Sequence, residues 1–216
     1  MPLHLVIYPD RLGRIYIWHL TESLEELLCK ISQPAEWLPQ LDGLGAENRK
    51  KEWLCVRLML QIFRPDFLPH IAYDHHHRPF LPEKDFHISI SHSSDKVAVF
   101  MHPQKKIGID LEYIHPRILK VLSRFLHSQE QAQVLKQKDP VTAAIICWSA
   151  KETLYKYYGQ KEPEFKENIR LYLPEYFATK GGINARIKGV KNDELEVEYR
   201  VLKTWVLTYT MESMPL

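Results

Sequence analysis

Ile107-Gly108-Ile109-Asp110-Leu111-Glu112, followed downstream by Trp148-Ser149-Ala150-Lys151-Glu152-Thr153-Leu154-Tyr155-Lys156, decides how this chain is read. The first stretch has the period of a strand. Ile107, Ile109 and Leu111 face one way and Asp110 and Glu112 the other, because strand side chains alternate. At a rise of roughly 3.3 Å per residue, the two acids stand about 7 Å apart at their Cα atoms. The second stretch reads as a helix, on which Glu152 and Lys156, four apart, share a face. Bringing that strand to that helix gathers three carboxylates and an ammonium. Such a set suits a magnesium ion holding a diphosphate, since Mg2+ prefers a few carboxylates plus phosphate oxygens to an all-protein cage.

Taken singly, each segment has an ordinary reading: acids on the solvent face of a strand, and a surface Lys–Glu pair. A third segment lies upstream, Phe86-His87-Ile88-Ser89-Ile90-Ser91-His92-Ser93. Its alternation predicts a strand that ends in the polar cluster Ser91-His92-Ser93, whose hydroxyls and imidazole suit phosphate oxygens. A turn after a strand accounts for the same residues.

In this order, Ser-His-Ser, Gly-Ile-Asp-Leu-Glu and Trp-Ser-Ala-Lys-Glu-Thr-Leu-Tyr-Lys, the chain resembles the 4′-phosphopantetheinyl transferases. Its length and its Asp-x-Glu form resemble the larger, monomeric type that primes surfactin synthetase, more than the smaller trimeric holo-acyl-carrier-protein synthases. The resemblance runs from about Glu47 to Gly159. It implies an α+β fold of two similar α/β lobes related by a pseudo-twofold, with coenzyme A in the cleft between them. The lobe boundary is expected near residues 102–106, giving lobes of 1–104 and 105–216.

The implied reaction moves the phosphopantetheine arm of coenzyme A onto a serine of an acyl or peptidyl carrier protein and releases adenosine 3′,5′-bisphosphate. By similarity, Asp110, Glu112 and Glu152 hold Mg2+ against the diphosphate. Glu152 also deprotonates the carrier serine, directly or through a water, and Lys156 contacts the diphosphate and stabilises the leaving phosphate. Lys151 lies in the same motif, with a structural role open to it. Arg49 matches the arginine near the 3′-phosphate, with His92 as its partner, and Ser91 approaches the diphosphate. Arg78-Pro79 falls where relatives carry Gly-Lys-Pro beside the adenine. The cation and proline are kept and the glycine is lost, and arginine stacks and forks in ways lysine does not. Relatives also carry a basic cluster before Arg49, whereas residues 34–45 hold no Lys or Arg.

The chemistry agrees with that implication. Attack on a phosphoryl centre spreads charge over its oxygens, so positioning and electrostatic stabilisation dominate. A serine hydroxyl needs a base to take its proton. Two other readings compete. A degenerate relative would bind coenzyme A or a carrier protein without turnover. A metal-dependent hydrolase would use the same acids to activate water on coenzyme A.

At 216 residues and 45% hydrophobic content, the chain can bury a real core as one domain or two small lobes. Its 29 basic and 27 acidic residues leave a formal +2, which argues against a general nucleic-acid binder. Cys29, Cys55 and Cys147 form no C-x-x-C, so reduced thiols are the simple reading. No secretory pattern opens the sequence and no apolar run reaches membrane-spanning length, so a soluble cytoplasmic protein without a membrane partner is expected.

Local signals predict the elements. Leu3–Tyr8 and Arg14–His19 read as a hairpin with Gly13 in its turn. Thr21 is a candidate N-cap for a helix carrying Leu24, Leu27, Leu28 and Ile31. The segment from Ala46 to Phe63 reads as a long helix, followed by strands over His87–Ser91, Val97–His102 and Ile107–Glu112. A helical stretch from Ile118 to about Lys136 is broken near Ser128, a candidate cap. It carries Glu130 at the spacing of the family's Phe-x-x-x-Glu, read as a surface acid. Asp139-Pro140 starts the motif helix and Gly159 ends it. Four strands follow, with turns at Gly181-Gly182 and Lys191-Asn192-Asp193. Asp74-His75-His76-His77-Arg78 reads as a polar loop beside the nucleotide rather than a zinc site, since adjacent loop histidines diverge.

Overall fold

A computed structural model of the chain describes residues 3–31, 37–65, 70–82, 86–159, 165–188 and 195–213. The fold is α+β, and the chain divides into two compact units, one of residues 1–73 and 79–104, the other of residues 74–78 and 105–216.

In the first unit, β1 (Leu3–Ile7) pairs antiparallel with β2 (Arg14–His19) as the hairpin pattern predicts. Asp10 organises the turn by accepting from the N–H groups of Leu12 and Gly13. Helix α1 (Leu24–Leu28) is capped by Ser23 and not by Thr21: Ser23 accepts from the Glu26 N–H while the Glu26 carboxylate accepts from the Ser23 N–H. That reciprocal pair satisfies two orphan donors at once, which Thr21 has no partner to match.

A short α2 (Leu38–Asp42) precedes α3 (Glu47–Phe63), which is buried continuously from Leu54 to Leu60. The spacing of Trp53, Val56, Leu60 and Phe63 predicts one apolar stripe, but α3 packs against α1, β2 and the strand Lys96–His102, so more than one face is covered. The two-residue strands β3 (Ala72–Tyr73) and β4 (Pro79–Phe80) flank the histidine loop. Strands β5 (His87–Ser93) and β6 (Lys96–His102) complete a sheet in the order β1-β2-β6-β5. Central β6 is buried at every residue, which is why it reads as a continuous apolar run.

The second unit is an antiparallel sheet in the order β7-β11-β10-β9-β8 with one long helix against it. Its strands are β7 (Ile107–Tyr113), β8 (Ile169–Tyr172), β9 (Lys180–Ile187), β10 (Leu195–Leu202) and β11 (Trp205–Met211). A 3-10 segment over Pro116–Val121 leads into α4 (Leu122–Phe125), α5 (Ser128–Leu135), α6 (Pro140–Tyr158) and the single turn α7 (Phe165–Asn168).

Helix α6 has the predicted ends. Asp139 accepts from the Thr142 N–H at 3.1 Å, and Gly159 closes the helix at φ 69°. The N-cap of α5 is His127, one residue earlier than the predicted Ser128, because the Glu130 carboxylate turns back onto the His127 N–H at 2.7 Å. Gly181 and Gly182 lie within β9 and form no turn. A Cβ on Gly181 would stand 2.8 Å from the Tyr199 hydroxyl across the sheet, so close packing, not chain reversal, asks for glycine there. The turn expected at Lys191-Asn192-Asp193 lies outside the described residues.

Candidate active site

The strand β7 presents Gly108, Asp110 and Glu112 to helix α6. Gly108 makes the approach possible: a Cβ there would collide with the Thr153 carbonyl oxygen and stand 3.0 Å from the Tyr157 Cβ. With the backbones this near, side chains of α6 reach both acids. The Trp148 indole N–H donates to Glu112 Oε1 at 2.8 Å. The Ser149 hydroxyl donates to Asp110 Oδ2 at 2.8 Å. Lys156 Nζ lies 2.8 Å from Asp110 Oδ1, an ion pair with the carboxylate side chain only 5% exposed.

Glu152 stands on the same helix one turn before Lys156. Burial pushes its carboxyl up, and the Asp110 and Glu112 charges add to that. Lys156 opposes them, and the carboxyl titrates at about 7. Glu152 therefore feels both acids of β7, as the alternation of β7 and the four-residue spacing on α6 predict. The ring of Trp148 is held edge-on by Phe125 and Phe165, with centroids 5.2 and 5.6 Å away.

Lys151 faces away from this cluster. It is fully buried, and donates to Glu130 at 3.3 Å, the Phe165 carbonyl at 3.0 Å and the Ile169 carbonyl at 2.8 Å. Glu130 in turn accepts from the Leu171 and His127 N–H groups. Glu130 is 1% exposed, so the expectation of a surface acid fails. A helical periodicity cannot show that a lysine elsewhere reaches in to neutralise it. Lys151 has a structural role, tying α6 to α5 and to the start of β8.

Arg78 stands at the C-terminal end of α6. Its guanidinium occupies the space a Cβ on Gly159 would take, and the left-handed backbone at φ 69° is what asks for glycine at the end of the helix. Asp74 holds Arg78 through Nε at 2.9 Å and Nη2 at 2.7 Å, and also accepts from the His76 and Arg78 N–H groups. Burial alone would raise the Asp74 carboxyl, but those hydrogen bonds and the guanidinium outweigh it and hold it at about 2. The histidine loop is thus a hairpin tip built around an aspartate, with His77 at φ 59°.

The remaining predicted residues lie in the first unit. Arg49 is exposed in the first turn of α3. His92 is exposed on β5, with Nδ1 3.6 Å from Glu52, which sits one turn after Arg49 on α3. Ser91 is buried on the same strand, and Pro79 is half-buried in β4. Ser149, Thr153, Thr208, Trp148 and Gly108 are contributors that sequence reasoning did not single out. Four of them lie inside the quoted motifs, while Thr208 carries no local signal at all.

Among the described residues, no three His, Cys, Asp or Glu side chains converge as a finished ligand set. The donor chemistry nonetheless fits a hard divalent cation, which needs one or two carboxylates and takes its other oxygens from substrate and water.

Residues 106–208 match the 4′-phosphopantetheinyl transferase superfamily. The match covers β7 and α6, which carry the acid cluster and Lys156, and β11 as far as Thr208. Among curated proteins, the 4′-phosphopantetheinyl transferase AcpT of Escherichia coli strain K12 is 35% identical over 71 residues, which are 32% of this chain and 35% of that protein. AcpT of Escherichia coli O157:H7 gives the same figures, 35% identity over 71 residues. The aligned stretch thus spans about a third of the length of these relatives. No helix among the described residues is long and apolar enough to cross a membrane.

Proposed function

We propose that this chain is a 4′-phosphopantetheinyl transferase that moves the phosphopantetheine arm of coenzyme A to a serine of an acyl or peptidyl carrier protein in a Mg2+-dependent reaction. The observation that carries this reading is the meeting of Asp110, Glu112, Glu152 and Lys156 across β7 and α6, inside the segment that matches the superfamily. The reading takes the chain as the larger, monomeric type, with lobes 1–104 and 105–216 related by a pseudo-twofold, acting in the cytoplasm.

Asp110, Glu112 and Glu152 are the residues that would hold Mg2+. Bound there, the ion supplies charge neutralisation for the diphosphate. Glu152 takes the proton of the carrier serine hydroxyl, directly or through a water, as the serine oxygen bonds to the pantetheine-side phosphorus. The bond from that phosphorus to the adenosine 3′,5′-bisphosphate oxygen breaks, and Lys156 meets the charge left on the departing phosphate. Burial and the two β7 acids raise the Glu152 carboxyl in the metal-free chain, and a cation bound beside it would lower it again, leaving an ionised base. Arg49 and His92 serve the 3′-phosphate, Arg78 and Pro79 the adenine, and Ser91 the diphosphate.

Intact-mass spectrometry of an apo acyl carrier protein incubated with the chain, coenzyme A and Mg2+ tests this. One added phosphopantetheine, absent without metal and absent for Glu152→Ala, is the expected result. An unmodified carrier with coenzyme A still bound indicates a binder without turnover. Cleaved coenzyme A with an unmodified carrier indicates a hydrolase.

A further inference from the structure

Behind Asp110 lies a chain of buried hydroxyls. Ser149, Thr153 and Thr208 are all fully buried. Thr208, on β11, is the strand partner directly opposite Asp110 on β7. Its Oγ1 lies 2.8 Å from Ser149 Oγ and 2.6 Å from Thr153 Oγ1. Ser149 Oγ is in turn 2.8 Å from Asp110 Oδ2.

Proton counting fixes the direction of every bond. An ionised carboxylate only accepts, and each hydroxyl has one proton to give. Ser149 therefore gives its proton to Asp110. The Ser149–Thr208 contact must then be donated by Thr208, and Thr153 points its one proton at Thr208 Oγ1, 2.6 Å away, with the Thr208 carbonyl at 3.2 Å as the more distant acceptor. The result is a one-way series, Thr153 to Thr208 to Ser149 to Asp110, whose members polarise one another toward the carboxylate. Aligned hydroxyls in a site from which solvent is excluded hold that carboxylate in one rotamer.

We infer that Thr208, acting through Ser149, is a positioning residue for the Asp110 carboxylate. With Oδ2 held from behind, Oδ1 is turned to the side where Lys156 and Glu152 stand. The inference rests on reading Asp110 as a cation ligand, and it assigns Thr208 a part in cation affinity although Thr208 touches neither ion nor substrate. Partners one step behind a ligand commonly change metal affinity or activity by about 10- to 100-fold.

The test is Mn2+ binding to the full chain in the presence of coenzyme A, followed by the electron paramagnetic resonance signal of free Mn2+. Ser149→Ala, one step behind the ligand, is expected to weaken Mn2+ binding by about 10-fold, Thr208→Val to weaken it in the same direction but less, and Thr208→Ser to bind like the parent. Thr210→Val is the control. Thr210 lies on the same strand, is 2% exposed and donates to the Glu196 carbonyl at 2.6 Å, outside the series. It should lose stability comparably and bind Mn2+ unchanged. Ser149→Ala removes the last donor alone and repeats the test should Thr208→Val not fold. Parent-like Mn2+ affinity in both Thr208→Val and Ser149→Ala, with the parent binding, overturns the inference and leaves the transferase reading intact. A parent chain that binds no Mn2+ overturns the assignment of Asp110 as a ligand, and this inference with it.

Discussion

Lys156 Nζ sits 2.8 Å from Asp110 Oδ1, so the buried acid of β7 and the last-turn lysine of α6 form one ion pair. Removing the lysine leaves a carboxylate that water barely reaches. Lys156→Met is expected to lower stability by about 2 kcal/mol, less than for a fully buried pair because the lysine is partly exposed. Mg2+ should recover part of that loss by replacing the missing positive charge. Thermal melts with and without MgCl2 check this, and a variant whose melting point responds to Mg2+ no more than the parent's contradicts it.

The carboxyl of Glu152 lies above its ordinary value of 4.5, at about 7, because of burial and the Asp110 and Glu112 charges. Between those two values the folded chain binds more protons than the unfolded one. Stability from this group therefore falls as pH rises from about 4.5 to about 7, and the penalty is complete above that. In EDTA, Glu152→Gln should stabilise the chain at pH 8 by about 3 kcal/mol at most and have little effect below pH ~4.5. Urea melts at the two pH values measure the difference. Excess Mg2+ should shrink it.

A methyl group at residue 108 meets the Thr153 carbonyl, a backbone atom that cannot swing aside. Gly108→Ala is thus expected to cost about 2–3 kcal/mol, as overpacking does. Gly45→Ala is the comparison, since nothing lies within 4 Å of an added Cβ there. Denaturant midpoints of the two variants should separate clearly.

Lys151 and Glu130 are both within 1% of complete burial. Lys151→Met strands the Glu130 charge, with two N–H donors left to it, and should cost about 3 kcal/mol. Phosphopantetheine transfer per folded molecule should be preserved, because Lys151 faces away from Asp110. A fall in turnover without a fall in stability would place Lys151 in the chemistry instead.

Periodicity carried the strand β7, the helix α6 and the caps Asp139 and Gly159, because these follow from local rules of spacing and backbone geometry. It also placed Asp110, Glu112, Glu152 and Lys156 on facing surfaces. What it could not carry was anything set by tertiary partners. Glu130 looked like a surface acid because its neutralising lysine is 21 residues away. Thr208 looked like any strand threonine, since its hydroxyl acquires meaning only when β11 lies beside β7. Ser23 displaced Thr21 as a cap through a reciprocal bond to Glu26, a pattern present in the sequence but outweighed there by Thr21 standing first.

Helix α6 runs between two fixed ends, and its neighbours read it from different sides: Glu112 meets Trp148, Asp110 meets Ser149 and Lys156, and Glu130 meets Lys151. At about 3.6 residues per turn, adding or deleting one residue rotates everything beyond it by about 100°. A single-residue insertion between Cys147 and Lys151 would put the buried lysine where the acid belongs. Substitutions in α6 are graded in their effects, but its length is all or nothing, so this helix serves as the ruler against which the strand's two acids are spaced.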